Sequence, residues 1–595
     1  MYTILKKKKR KKLFLLLAAA VLVIAAAVPM LVIHFSKAFT AQEQAVRTDW
    51  TFDTGSFIQE SAQWEVDIMQ ANLGEGLYAF QLVPQDIESE NFTYYDSSVQ
   101  QRLSQVVQEL KSMPEVTWSA TQPLAILNPY GTGSNGLYLY FETDMATQIS
   151  YSIHVPGSDI PDFTATASDI SGEEYTKIHE FQMIGLVPGE TNEVTLTITG
   201  RWGNTRQIVS FTVEMPQTFS GYSTRLEVTE GSSSQPLSEG LFAMMRVNGY
   251  LGYGFFFDND GVLRYEMVLE GFHSDRFLYT DGGLYTCVSS RKIALMSPLG
   301  QAVRVYDLGQ YELHHDINWG PDGTILALVN DTEQDTVMDV VVFLNPETGE
   351  VSEVVDFSEL MDGYYGEMTH PVPITGGSFW QAGEDDWLHL NSVQYMEKDD
   401  SILVSSRETS TIIKVSDIGG TPTLSAFIGD PAFWADTPYA DLCYAMDGDF
   451  VAQYGQHDVE LVADDSLEDG QYLLRMYDNN YWSLSTRDGY DPELADSVST
   501  SLTSGDASYI TFYLVDDNAK TFSLVEQHAV PYSAIVSNAQ EIGGNFVVNS
   551  GVAHQFGEYD SDGNLIRAFD YDCMMNGYRV MKGDFVGYWF QETDA

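Results

Sequence analysis

Basic residues are scarce in this chain: 30 Lys and Arg stand against 85 Asp and Glu, a formal net charge of −55. Seven of the thirty fall in Lys6–Lys12, leaving 23 basic against 85 acidic residues, −62, for the remainder. A surface of that sign repels phosphate backbones and anionic lipid, which excludes nucleic acid as a partner. An anionic substrate would then need a locally positive pocket, so each interior Arg and His carries information. Cysteine is nearly absent. Cys287, Cys443 and Cys573 are far apart and odd in number, which excludes a disulfide framework and a CxxC metal knuckle. There is no GxGxxG, no P-loop and no nucleophile-elbow serine, so nucleotide and serine-hydrolase chemistry have no foothold.

Long hydrophobic runs are missing too, with one exception. The basic run KKKKRKK at 6–12 is followed by apolar residues from Leu13 to Ile33. At 1.5 Å per helical residue that stretch spans roughly 30 Å, the hydrocarbon thickness of a bilayer. It exceeds the 7–15-residue core of a cleaved signal peptide, so we expect an uncleaved transmembrane signal anchor. The flanking charge puts residues 1–12 in the cytoplasm and everything after His34 outside, on a single-pass protein of the cell membrane.

What the chain does have is length, aromatics and glycine. At 595 residues it calls for two or more domains, and 13% aromatic content with 48 Gly suits many short strands and tight turns. Residues 34–119 read as a juxtamembrane segment, partly helical. Gln101–Lys111 has helical spacing at Leu103, Val106, Val107 and Leu110, and Gln59–Gln70 is a weaker helical candidate. Alternating runs follow: GLYLYFE at 136–142, ISYSIHV at 149–155, EVTLTIT at 193–199 and QIVSFTV at 207–213. They predict a small antiparallel sandwich over 120–217. Phe219–Leu237, rich in Ser, Thr and Gly, reads as a linker.

From residue 238 to 595 a repeat emerges. HDINW at 315–319, NSVQY at 391–395, HDVEL at 457–461 and NAQEI at 538–542 each precede a turn, and each turn leads into an apolar strand: TILALV, SILVSS, QYLLRM and NFVVNS. A weaker copy surrounds the DGG turn at 281–283, and another unit lies near Phe242–Glu270, about six in all. Spacings of 76, 66 and 81 residues demand insertions between strands. The expected fold is therefore all-β: a six-bladed propeller behind the sandwich and the anchor helix. Tandem sandwiches would not require one polar position to recur in every unit.

In such a fold the first strand of each unit lines a central channel, so polar residues at its start converge. His315, Asn391, His457 and Asn538 are equivalent. His389 lies two before Asn391 and shares its face, while alternation puts His314 opposite His315. Arg407 closes the second strand of the His389 unit, and Tyr578-Arg579 could reach the channel mouth. Asn391 and Asn538 have a plainer reading, as partners for buried backbone. Asp258-Asn259-Asp260-Gly261 and Asp560-Ser561-Asp562-Gly563 look like pieces of calcium loops but lack the remaining ligands, so hairpin turns are expected there.

These segments, with LNPYG at 127–131, IHEFQMIGLVPGETNEVTLTI at 178–198, HHDINWGPDG at 314–323, HLNSVQY at 389–395, ILVSSR at 402–407 and GQHDVEL at 455–461, resemble the bacterial aryl-sulfate sulfotransferases that work without phosphoadenosine phosphosulfate. The resemblance implies a sandwich on a six-bladed propeller and a transiently sulfurylated histidine, which falls on His457. His389, Arg407 and His314 or His315 fall on the other site positions, with His315 preferred by alternation; Asn391 and Tyr578 are candidate substrate contacts. It further implies a small phenolic sulfate as donor, a phenol as acceptor, and no cofactor or metal. Periplasmic members carry a cysteine pair ahead of the nucleophile, whereas Cys443 here stands alone. Assembly is left open, a homodimer being one option. The alternative from another class is a non-catalytic surface propeller that binds glycans or proteins.

Overall fold

The computed structural model describes residues 46–51, 58–61, 66–72, 78–84 and 93–592, apart from 115, 249–250, 272–275, 369–384, 485 and 488–489. The apolar run 13–33 lies outside them; among the described residues no helix is long and apolar enough to cross a membrane. The molecule is nearly all β.

The N-terminal domain is organised by one strand of 18 residues, Leu137–His154, where two shorter ones were expected. Its first half pairs with Leu124–Leu127 and Thr176–Met183, its second with Phe163–Thr166 and Thr191–Gly200. The single strand therefore joins the two halves of one ten-stranded sheet. Alternate residues face inward: Leu137, Leu139, Phe141, Ile149, Tyr151 and Ile153 meet Val194, Leu196, Ile198, Phe211 and Val213 in one core. Burying each such side chain stabilises by about 1.5–3 kcal/mol.

Two expectations for 34–119 divide. Ser97–Lys111 forms a helix, α1, with Val99, Leu103, Val106, Val107 and Leu110 buried. Asp96 caps it, accepting from the Ser98 and Val99 amides, a contact worth about 1 kcal/mol. Gln59–Gln70 is not helical. It contributes strands Ile58–Ser61 and Val66–Asn72, the latter paired with Tyr78–Pro84 in the register Ile68↔Leu82. A short segment of mixed propensity follows the pairing partner that the sheet offers, and tertiary context overrides the weak helical pattern.

Six further sheets follow in sequence, antiparallel apart from a two-residue parallel pairing of Ala445–Met446 at the outer edge of the fifth. Five begin with their own first strand: Phe277–Thr280, Tyr311–Trp319, Leu390–Met396, His457–Val462 and Asn538–Ile542. The remaining sheet takes its first strand from the end of the chain. Val580–Gly583 pairs with Leu241–Asn248, so the last strand completes the first sheet. These first strands adjoin in chain order, and Tyr279 meets Phe585 at a ring distance of 5.8 Å, which brings the circuit back to its start. The linker also gains a strand: Glu227–Glu230 adds to the outer edge of the sixth sheet, against Leu565–Asp570. Its four alternating residues are too few to stand out in a Ser/Thr/Gly-rich stretch. The long insertions fall at 357–389, 429–456 and 479–507, around the third, fourth and fifth sheets.

The two acidic turns are hairpin turns. Asp258 Oδ1 accepts from the Asp260 and Val262 amides, and Asp560 Oδ1 from those of Asp562 and Asn564.

Candidate active site

Three first strands break their ladders at the same level. Pairing jumps from Leu313↔Val329 to Ile317↔Ala327, from Leu390↔Ser406 to Val393↔Val404, and from His457↔Tyr477 to Glu460↔Arg475. Each break is a bulge, with more residues on the first strand than on its neighbour. At or beside each stands a residue in the left-handed region: His315 (φ 50°), His389 (φ 52°) and Asp458 (φ 53°). Asp and His tolerate that conformation better than most residues, at a cost on the order of 1–2 kcal/mol each. The bulges cancel simple alternation and let consecutive side chains both turn inward.

They gather one cluster. The His315 ring lies 4.9 Å from His389 and 5.5 Å from Tyr578, Tyr578 lies 5.6 Å from His457, and His389 lies 6.5 Å from His457. His315 is partly exposed, and His314 is buried behind it, its Nδ1 3.1 Å from His315 Nδ1. The structure gives His315 Nε2 no partner among the described residues.

Arg407 enters from the end of Ser401–Ser406. Its Nη1 donates to His389 Nε2 at 3.1 Å, which leaves the proton of His389 on Nδ1, donated to Asp386 Oδ2 at 2.6 Å. The Arg407 side chain keeps 24% exposure and reaches both cluster and solvent.

His457 is the most enclosed of the set. Its Nδ1–H is shared between Gly455 O at 3.0 Å and Asn479 Oδ1 at 2.8 Å, and its Nε2 accepts the Val536 N–H at 3.2 Å. Asn479 is itself fixed, donating to the Ser533 and Val536 carbonyls. Burial first, and the Arg407 guanidinium second, hold the His457 imidazole down to about 3. The same two causes lower His389 well below its ordinary value, and burial with the neighbouring histidines does so for His315. All three rings are therefore neutral near pH 7, with imidazole lone pairs beside one cation.

The other predicted residues sit below or behind this layer. Asn391 is fully buried and its Nδ2 donates to Gln456 O at 2.9 Å, the backbone-satisfying role. Asn538 bonds Val580 in the same way. Tyr578 lies between His315 and His457, but its hydroxyl donates to Asn391 O and accepts from Arg579 Nη2, so it presents its ring and not its proton. Sequence reasoning missed Asp386, Asn479, the Val536 amide and a buried ionic group beneath the rings. In that group Arg579 contacts Asp458 at 2.7 Å and Asp316 at 3.3 Å, and Arg276 contacts Asp316 at 2.7 Å and also Glu460. Asp386, three residues before His389, was the one with a visible signal.

A family profile described as Arylsulfotransferase (ASST) matches residues 227–579, and one described as Arylsulfotransferase Ig-like domain matches 124–216. No curated protein matches the chain. Solved structures similar to parts of it include a protein of unknown function from Bacteroides caccae (12% identity, 56% of this chain and 94% of that one, TM-score 0.32). The periplasmic gluconolactonase of Pseudomonas aeruginosa follows at 11% identity, 73% and 99% coverage and TM-score 0.29. The WD40 domain of Toxoplasma gondii coronin shows 11% identity, 58% and 76% coverage and TM-score 0.29. Likenesses at that level define neither fold nor function. The matched profile covers more than half of the sequence and ends on Arg579, taking in the whole histidine cluster: the chain belongs to the arylsulfotransferase family.

Proposed function

We propose that the circuit of six sheets is a six-bladed β-propeller, and that its centre moves a sulfuryl group from a phenolic sulfate ester to a phenolic acceptor by a ping-pong route through sulfo-His457. The observation that carries this is the state of His457: a neutral imidazole whose proton is pinned on Nδ1, leaving Nε2 as the lone pair, within a cluster whose accessible cation is Arg407.

In the first half, Nε2 attacks sulfur, the N–S bond forms and the S–O(aryl) bond breaks, so the oxygen leaves with the bonding pair as a phenolate, which takes its proton from solvent. The ring becomes a sulfo-imidazolium whose Nδ1–H stays on Asn479 and Gly455. The Val536 amide must turn off the lone pair as the bond forms. Arg407 supplies a fixed fork of donors to the sulfuryl oxygens, and donors of this kind contribute on the order of 3–4 kcal/mol each. In the second half the acceptor hydroxyl attacks sulfur and the N–S bond breaks, restoring neutral His457. His315, partly exposed, takes the acceptor's proton as the N–S bond breaks and gives it up to solvent, so its ring begins the next turnover neutral. The residues present need no metal or nucleotide for either half. The acidic surface repels an anionic sulfate ester at long range, so the local attraction rests on Arg407 at the cluster. The apolar run 13–33 would hold the domain at the outer face of the cell membrane.

The test is nitrophenol release from 4-nitrophenyl sulfate by the full chain. Release that requires added phenol, with a mass gain of one SO3 group on the peptide bearing His457 when phenol is withheld, supports the reading. Full release without acceptor points to a hydrolase, and release unchanged in His457→Ala overturns the nucleophile.

A further inference from the structure

The hairpin joining Thr191–Gly200 to Thr205–Glu214 in the N-terminal domain carries at its tip the most exposed large apolar side chain among the described residues, Trp202 at 73%. Register places two more such side chains at the same end. Thr147 pairs with both Gly200 and Thr176, and Glu142 pairs with Ile178, which sets exposed Met145 and Ile178 beside the tip. The sulfuryl-transfer chemistry uses none of them. Single exposed apolar side chains occur elsewhere on the molecule, but three together at one end of a sheet, Trp among them, form a patch of the kind that marks an interaction surface.

Chain path identifies that occupant. The first described strand, Val46–Thr51, runs parallel to Thr205–Glu214 and starts at Val46↔Val209, so the chain enters the domain at the hairpin end. Only residues 34–45 separate it from the apolar run ending at Ile33, a tether of roughly 40 Å at full extension. The surface reached by so short a tether is the bilayer. Local charge agrees. No acidic residue lies between Glu193 and Glu214, while Arg201 and Arg206 flank the tip. A cleft of about 470 Å³ next to it is lined by Arg206, Ser119 and Thr121 together with Glu142 and Asp144. That pairing of signs fits a zwitterionic headgroup and matches a protein whose net charge disfavours anionic lipid.

We propose that this hairpin tip docks on the outer leaflet beside the anchor, with Trp202 at headgroup level, where amphipathic aromatic rings settle. The docking sets the orientation of the domain on the membrane, and it rests on the reading of 13–33 as a membrane anchor.

Full-length protein in phosphatidylcholine vesicles separates the two. Flotation reports the anchor; quenching of tryptophan emission by brominated phosphatidylcholine reports the docking. We expect parent and Trp202→Ser to float alike and to retain equal phenol-dependent nitrophenol release, with quenching in the parent exceeding that in the variant about twofold. Flotation with equal quenching in both overturns the docking and leaves the anchor standing. Failure of both proteins to float removes the anchor and the docking together.

Discussion

Consecutive residues at the centre of the six sheets build two layers of opposite electrical character. His315, His457 and Tyr578 form the upper layer with His389, and the residue that follows each of those three in the chain, Asp316, Asp458 and Arg579, drops into the lower one with Arg276 and Glu460. The rings of the upper layer are neutral, Arg407 and the Asp386 carboxylate lie at its edge, and the layer is partly open. The lower is densely charged and closed. Burial raises the Asp458 carboxyl, yet Arg579 and Arg276 outweigh it and leave it below its ordinary value. Burial thus keeps the His457 imidazole neutral, while Arg579 and Arg276 hold the equally buried Asp458 ionised. In the proposed mechanism chemistry belongs to the first layer and shape to the second.

The sharpest break between them is His457→Ala. Transfer should fall by about 10^4-fold or more, as loss of a covalent nucleophile does elsewhere, while the urea midpoint moves little. Arg579→Met should do the reverse. It leaves Asp316 and Asp458 buried with one partner fewer, which costs about 3–5 kcal/mol of stability in urea unfolding. A variant that kept its midpoint would show that the lower layer is not held together by that pair of contacts. Arg407→Lys keeps the charge and loses the fork; we expect about 10²-fold lower kcat with donor KM changed less. If KM alone rises, Arg407 binds the ground state only.

How far the sequence disclosed these layers follows from the bulges. His457 and His315 were legible because one polar position recurs in successive units, and that recurrence survives local distortion; His389 was reached from Asn391 two residues on, Arg407 as the end of the second strand of that unit, and the roles of all four through the family resemblance. The lower layer was not, because strict alternation turns Asp316 and Asp458 outward; only left-handed residues inside the bulges bring them in, and no period reveals a bulge. Tyr578 was found as a neighbour of the channel, but not the strand just after it, since a first sheet completed by the end of the chain leaves no local pattern. Asn391 illustrates a shared position with a different duty: two of its unit equivalents are histidines, yet it is sealed beneath them against Gln456 O, as Asn538 is against Val580. In the N-terminal region the helix at 97–111 was legible from its apolar stripe, whereas the strands at 58–72 depend on a partner the sequence does not display.

A smaller effect tests how the upper layer is oriented. Asn479→Ala removes the side-chain acceptor of His457 Nδ1 but leaves Gly455 O, so the tautomer is weakened and not lost. Transfer should drop about tenfold, and Asn479→Asp, which restores an acceptor, should recover much of it. Equal rates in all three would place the burden on Gly455 O alone.

The smallest expected change is in the pH profile, and it bears directly on the contrast between layers. An imidazole at its ordinary value of 6.5 would be only about 3% neutral at pH 5, and single-turnover release of nitrophenol would fall roughly 30-fold between pH 8 and pH 5. Burial and Arg407 hold His457 at about 3, so its lone pair persists through that range and the rate should change by less than about twofold. Stability has the opposite sensitivity. The unfolded chain takes up the His457 proton below 6.5 while the folded chain refuses it until about 3, so more protons are bound in the unfolded state and the fold weakens as pH falls through that window. A rate inflection near 6.5 would mean that the ring gains a proton in place, and the neutral layer would then differ from the ionic one in degree only.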